Sequence, residues 1–129
     1  MENQNKNNPL TPDTPLTSYQ LIKLTEQMKQ EESWEKTGRS AKTLSKTNQM
    51  RLVLNCMKAG TEIKPHQANG PISVHVLEGQ IIFRTEDQVV RLEKSEMLTL
   101  QEHIRHSVEA IEETSFLLTI AQQTPGETK

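Results

Sequence analysis

Short apolar runs with a two-residue period fill the chain from residue 40 onward and limit the folds that it can adopt. Alternate residues of a strand point to opposite faces, so this period indicates strands rather than helices. The runs are separated by glycines and by pairs such as Asn69-Gly70 and Glu86-Asp87, which favour tight turns. The segments that we expect to form strands are SAKTLSK, MRLVLNCMK, PISVHVL, QIIFR, QVVRLE, EMLTL, HSVEA and SFLLTI.

About eight short strands joined by tight turns predict a β-sandwich or β-barrel, because closing or stacking the sheets hides edges that would otherwise pair with other chains. With 129 residues the chain is long enough for one hydrophobic core and too short for two. We therefore predict a single, mainly β domain over residues 40–121, preceded by a short N-terminal helix.

The helical period lies in the segment 18–38. Three apolar residues at positions i, i+3 and i+7 place one apolar stripe on a helix over residues 19–32, opposite a charged face. Ser18 is a candidate N-cap, because its hydroxyl can accept a hydrogen bond from the first helical turn. Gly38 indicates where the helical segment ends. The stripe consists of Leu21, Leu24 and Met28.

The two ends of the chain differ in composition from the domain between them. Residues 1–17 are rich in Asn and Pro, and QQTPGETK closes the chain. Such segments cannot bury enough apolar surface to offset the entropy lost on ordering. We therefore predict disordered tails over residues 1–17 and 122–129.

Charge and aromatic content exclude nucleic acid as a partner. The 15 Lys and Arg residues and the 17 Asp and Glu residues are spread along the chain, so no basic field attracts phosphates. Two Phe, one Trp and one Tyr are too few rings to stack a row of bases. We expect no nucleic-acid partner.

Apolar runs and cysteine content bear on location. No apolar run approaches the roughly 20 residues needed to cross a bilayer, and the N-terminal segment lacks the pattern of a secretory signal. The chain has one cysteine, Cys56, so no intrachain disulfide can form. We expect a cytoplasmic protein without membrane contact. Because Cys56 alternates with Leu52 and Leu54, its thiol is expected in the core rather than as a nucleophile.

All four histidines lie between positions 66 and 106, and imidazole is both a common transition-metal ligand and a proton carrier near neutral pH. The surrounding sequence resembles the cupin family over roughly residues 50–121. The first cupin motif, G(x)5HxH(x)3,4E(x)6G, is matched at Gly60, His66 and Gly79, whereas Ala68 stands at its second histidine and Ile72 at its glutamate.

The second cupin motif, G(x)5PxG(x)2H(x)3N, keeps its metal-binding histidine, which is His106 in this sequence. Its other positions hold Ser95, Gln101, His103 and Ala110.

The resemblance implies a double-stranded β-helix, or jelly-roll, barrel. It also implies oxygenases, isomerases and decarboxylases that hold Fe, Mn, Ni or Zn on three histidines and a glutamate. This chain keeps His66 and His106 of those ligands, while Ala68 and Ile72 make the interior apolar and favour a small organic ligand.

We therefore predict a cupin barrel that binds a small molecule, with His66 and His106 as ligand-binding residues. A metal-dependent cupin enzyme of the dioxygenase, isomerase or decarboxylase type is the alternative. A third hypothesis is a barrel that serves mainly as a dimerisation or regulatory platform.

A bound divalent metal, Zn, Ni, Mn or Fe, would be held weakly by two imidazoles and would need a third donor, either His75 or His103. His75 lies three residues from Ile72, so it faces outward unless a β-bulge intervenes. His103 is either a solvated residue of the QEHIR turn or a donor that swings toward His106. Without a metal, His66 and His106 either bind an anionic or carbonyl group of a ligand or hydrogen-bond the protein itself.

Two expectations concern the arrangement of these elements. We expect His66 and His106 each to begin a strand and to lie within reach of each other at the barrel mouth. The strand RLVLNCMK is apolar on both faces, and a strand with one buried face should have a polar second face. We therefore predict a homodimer formed by sheet faces, with the N-terminal helix near the contact.

Overall fold

Two antiparallel sheets form the body of the protein. The structure is a computed structural model that describes residues 15–122. Its elements are α1 Leu21–Met28, α2 Glu32–Thr37, β1 Arg39–Lys46, β2 Met50–Met57, β3 Glu62–His66, β4 Ile72–Glu78, β5 Gln80–Thr85, β6 Val89–Glu93, β7 Met97–Leu100, β8 His106–Ala110 and β9 Thr114–Ala121. Sheet A has the strand order β1-β2-β9-β4-β7, and sheet B has the order β3-β8-β5-β6.

The barrel core lies between the two sheets and is built from alternate residues of their strands. In β4 the buried residues are Ile72, Val74 and Val76, and the residues between them are less buried. The expected two-residue period and the mainly β fold with a short N-terminal helix are therefore confirmed. The buried core residues are Met57, Ile72, Val74, Val76, Ile81, Phe83, Leu92, Val108, Ala110 and Phe116.

A second cluster fills the space between the outer face of sheet A and the helices. It contains the helical residues Leu24, Met28 and Trp34 together with Leu54 and Cys56 of β2. The second apolar face of β2 is thus covered by the chain's own helices. Because the chain itself covers this face, β2 gives no reason to expect a partner, and the homodimer stays a prediction.

Cys56 is fully buried in this helix-side cluster, as the alternation of β2 predicted. Burial raises the pKa of its thiol to about 11, because the thiolate would lose its hydration, while the nearby Lys29 partly opposes the shift. The thiol is therefore protonated near neutral pH and behaves as a small apolar side chain.

The helical segment differs from the prediction in two ways. It forms two helices, because backbone N–H groups of Gln30 and Glu31 donate to carbonyls three residues back and turn the chain. The N-cap is Gln20 rather than Ser18, and no side chain caps this end. The end at Gly38 is confirmed: its left-handed φ of 76° closes α2. Neither helix is long and apolar enough to span a membrane, and residues 15–122 contain no other helix.

The strand β3 was not predicted, and this omission also misplaced His66. The segment holds a proline and several polar residues, so it shows little apolar alternation. β3 is an edge strand of sheet B. Such a strand tolerates Pro65, which has no backbone N–H, because one side of the strand faces no partner strand. His66 is consequently the last residue of a strand and not the first, whereas His106 begins β8 as expected. The predicted disordered tails fall mainly on residues 1–14 and 123–129, which lie outside the described residues.

Candidate functional site

Two histidines from neighbouring strands meet at the open end of the barrel. His66 of β3 and His106 of β8 are directly opposite each other in an antiparallel pair, and opposite residues of such a pair share one face of the sheet. Their ring centroids are 4.3 Å apart, with the ring planes tilted by 59°. The expected proximity of the two side chains is therefore confirmed.

The two rings differ in their surroundings. His106 is 5% exposed and stacks on Phe83, with ring centroids 5.1 Å apart and planes within 13° of parallel. The side chain of His66, by contrast, is exposed to solvent. His106 is thus packed against the core, while His66 is accessible to a molecule entering from solvent.

Hydrogen bonds to the backbone assign the proton on each ring. Nδ1 of His106 donates to the carbonyl oxygen of Ile104 at 2.8 Å, and Nδ1 of His66 donates to that of Lys64 at 2.9 Å. Because a carbonyl oxygen can only accept, Nδ1 carries the proton in both neutral rings, and Nε2 carries a lone pair. The neutral pair therefore accepts hydrogen bonds at Nε2. Recognition of an anionic or carbonyl group, as the sequence suggested, would require protonated rings.

Burial lowers the pKa of His106, because the imidazolium form loses hydration. The hydrogen bond to Ile104 partly opposes this shift, and the nearby His66 adds to it. At neutral pH His106 is accordingly neutral, and its Nε2 is free of a proton.

We expect acid to destabilise the wild-type protein more than the variant His106→Gln. The unfolded histidine, with a pKa of about 6.5, takes up a proton before the native one does. The stabilisation is therefore complete above that pKa and is lost as pH falls through the lower native value. Thermal unfolding midpoints between pH 8 and pH 5 test this, with His75→Gln as the control. Parallel pH profiles for wild type and His106→Gln would contradict it.

The histidine pair lines a cavity of about 790 Å³ that opens at this end of the barrel. Apolar walls come from Ile72, Leu118 and Ile120, and polar and basic groups surround them. Ala68 and Ile72, which stand at cupin ligand positions, both line this cavity. Within the described residues the lining is Lys46, Thr47, Asn48, Arg51, His66, Gln67, Ala68, Asn69, Gly70, Ile72, His103, His106, Leu118, Ile120, Ala121 and Gln122.

The other two histidines have different positions. His103 lines the cavity in an exposed turn, where its backbone N–H donates to Ala68 O and its φ is 66°. His75 alternates with the buried residues of β4 and so lies on the outer face of sheet A, as its parity predicted. The irregularity in β4 comes after it, between Val76 and Glu78. His75 therefore does not serve as a third donor at the cavity.

The donor set does not fit the metal site of three histidines and a glutamate that the cupin resemblance implies. Among residues 15–122 no group of three or more His, Cys, Asp or Glu side chains is arranged to hold a metal ion. Ala68 and Ile72 supply no donor atoms. What remains is the facing pair of His66 and His106, and its metal-binding or ligand-binding role stays a prediction.

Two basic residues in the cavity wall were missed by the sequence reading. Lys46 of β1 and Arg51 of β2 are partners across the strand pair, and both line the cavity. Nε of Arg51 is buried and has no hydrogen-bond partner. The sequence does contain a signal for Arg51. This residue lies an even number of positions before Val53 and Met57 in β2, so it points to the same face as Met57, which belongs to the barrel core.

Comparisons with known proteins bear on the fold. No family model matches the chain, and no curated protein matches its sequence. Solved structures do match it. An RmlC-like cupin from Desulfovibrio desulfuricans has a TM-score of 0.68 at 23% identity, covering 82% of this chain and 96% of that one. A cupin superfamily protein from Desulfitobacterium hafniense has a TM-score of 0.64 at 15% identity, covering 66% and 78%.

An RmlC-like cupin from Shewanella frigidimarina is similar over 71% of this chain and 83% of its own, with a TM-score of 0.63 at 14% identity. His66 and His106, which stand at cupin motif positions, lie on the paired strands β3 and β8. The chain is thus a small protein with the cupin fold.

Proposed function

We propose that this protein binds a small molecule in the cavity at the open end of its barrel, with His66 and His106 as polar anchors. The observation that supports this most is the facing pair of rings in the cavity wall, each with Nδ1 bonded to a backbone carbonyl. Nε2 of each ring is left to accept a hydrogen bond from a hydroxyl or amine of the ligand. A few convergent polar groups within apolar walls are typical of small-molecule sites.

Weak binding of Zn, Ni, Mn or Fe(II) by the same pair is the second candidate. Metal-ligating histidines commonly donate their other ring N–H to a backbone carbonyl, as both of these rings do. Catalytic metal sites generally use three protein ligands, and the described part of the chain offers no group of three. The second candidate is therefore a weak metal site on two histidines and not the metal site of a cupin enzyme.

The proposal extends to a cytoplasmic homodimer that binds neither nucleic acid nor membrane. A free, buried cysteine is compatible with a reducing compartment. Val89 and Met97 are exposed apolar residues on edge strands of the two sheets, and an edge strand is where a second copy can pair. Analytical ultracentrifugation at micromolar concentration tests the dimer.

The binding proposal is tested by ligand-detected NMR with a mixture of small metabolites, followed by calorimetric titration of the compounds that bind. We expect His66→Ala and His106→Gln to weaken binding about 3- to 10-fold, the loss of one neutral hydrogen bond. His75→Gln, on the outer face, should bind as wild type does. Equal affinities in all four proteins would refute the anchoring role.

A parallel titration with Zn, Ni, Mn and Fe(II) separates the two candidates. Metal binding that requires both His66 and His106, in the absence of any bound organic compound, would favour the weak metal site. Small-molecule binding that is insensitive to a chelator would favour the primary proposal.

A further inference from the structure

We propose that the ligand is a small organic acid. Its carboxylate binds Arg51 and Lys46, which lie on the cavity wall formed by sheet A. This inference rests on the proposed function, because it concerns the same cavity, and it assigns the ligand's chemical class.

The strand register places Arg51 inside the barrel. Arg51 is opposite Ile120, and Ile120 is in turn opposite Ile72. Residues opposite each other in antiparallel strands share a face, so the three side chains form a row across β2, β9 and β4. Because Ile72 belongs to the barrel core, the whole row faces the interior, and all three residues line the cavity.

Lys46 continues this row onto β1, where it is opposite Arg51. Two like charges in directly opposed positions destabilise a strand pair unless an anion lies near them. The ion pairs within residues 15–122 are Lys29–Glu113, Lys36–Glu32 and Arg84–Glu109, so neither cation of the cavity takes part in one. No Asp or Glu occurs among the described lining residues.

Arg51 also has an unused hydrogen-bond donor. Its Nε is buried without a partner, and a buried donor without an acceptor is destabilising. A guanidinium remains charged at any physiological pH and presents its N–H groups in a planar fork. A carboxylate matches that fork with two parallel hydrogen bonds, and it would bring the negative charge that the described cavity lining lacks.

The two walls of the cavity therefore select different parts of one molecule. Sheet A presents fixed positive charge at Lys46 and Arg51, whereas sheet B presents the hydrogen-bond acceptors of His66 and His106. A carboxylic acid that also carries a hydroxyl or amino group satisfies both walls. Hydroxy acids of a few carbons combine these groups without adding a third cation to the cavity that Lys46 and Arg51 line.

The test is calorimetric titration with lactate, malate and citrate, and with lactamide, which replaces the carboxylate of lactate by an uncharged amide. We expect at least one acid to bind wild type, more weakly as salt is raised, and lactamide to bind less well than lactate. Arg51→Gln should weaken binding of the acid roughly 10- to 100-fold, Arg51→Lys should retain part of the affinity, and the control Arg91→Gln should not change it. Arg91 is an exposed residue of β6 outside the cavity.

Equal affinity of the acid for wild type and Arg51→Gln would overturn the inference, as would failure of all three acids to bind wild type. If an uncharged metabolite binds and depends on His66, the proposed function stands while the carboxylate assignment fails. A stability measurement on Arg51→Gln adds an independent check. Because the substitution removes an unpaired cation, the unfolding midpoint of Arg51→Gln without ligand should not lie below that of wild type. At one concentration of the acid, the midpoint should rise more for wild type than for the variant.

Discussion

Replacing Gly79 by alanine is expected to lower the free energy of unfolding by about 3 kcal/mol or more. Gly79 joins β4 to β5 with a φ of +89°, a conformation that strains any residue with a Cβ. That Cβ would also meet Glu113 O, Thr114 Oγ1 and, at 2.7 Å, Thr114 Cα. These atoms cannot easily withdraw, because Thr114 Oγ1 is hydrogen-bonded to both backbone groups of Gln80 at 3.0 Å. Urea denaturation measures the loss.

The matched control is Gly60→Ala, because Gly60 has a φ of +86° but no atom within 4 Å of the Cβ position. Only the backbone strain applies there, so we expect a loss of about 1 kcal/mol. The difference between the two variants isolates the steric contact. Equal losses at Gly60 and Gly79 would show that the close approach to β9 has no energetic consequence.

The variant Met28→Ala is expected to lower the free energy of unfolding by about 2–5 kcal/mol. Met28 is fully buried in the cluster beneath α1, so the truncation leaves a cavity between that helix and sheet A. The control on the same helix is Ile22→Ala, because Ile22 is 47% exposed and should change stability by less than about 0.5 kcal/mol. Denaturation by urea compares the two.

The dependence of this loss on protein concentration distinguishes two arrangements of the helix. α1 contacts β1 and β2 of its own chain, so the loss in Met28→Ala should be the same at every concentration. A loss that shrinks as the protein is diluted would mean that the helix packs on a partner's sheet, since only the associated protein then contains the Met28 contact.

The period of the sequence was sufficient to predict eight of the nine strands in residues 15–122 and the fold class. The face of the sheet to which a side chain points alternates from one residue to the next. The burial of Val74 and Val76 and the outward position of His75 could therefore be predicted from the sequence. The same rule failed for β3, because Pro65 and polar neighbours hide the alternation in an edge strand. Local signals also misjudged the start of α1, where no side chain caps the helix.

The cupin resemblance singled out His66 and His106 as candidate site residues, and the structure places their rings side by side. Their spacing of 40 residues along the chain says nothing about distance in space, which comes from the pairing of β3 with β8. The proton positions likewise depend on where two backbone carbonyls lie after folding. Residue types were therefore predictable, whereas the acceptor character of the pair was not.

The tertiary structure alone decided which residues share the cavity with the histidines. Arg51 is an ordinary charged residue in the sequence, and its place in the cavity wall is fixed when β2 pairs with β9 and puts it opposite Ile120. The same folding step assigns the second apolar face of β2 to the chain's own helices. The physical reason is that the face a residue occupies follows from the alternation along its own strand. Which strands lie side by side depends instead on how the whole sheets bury their apolar faces. Sequence period therefore determined which residues face inward, and the packing of the two sheets determined which inward-facing residues meet.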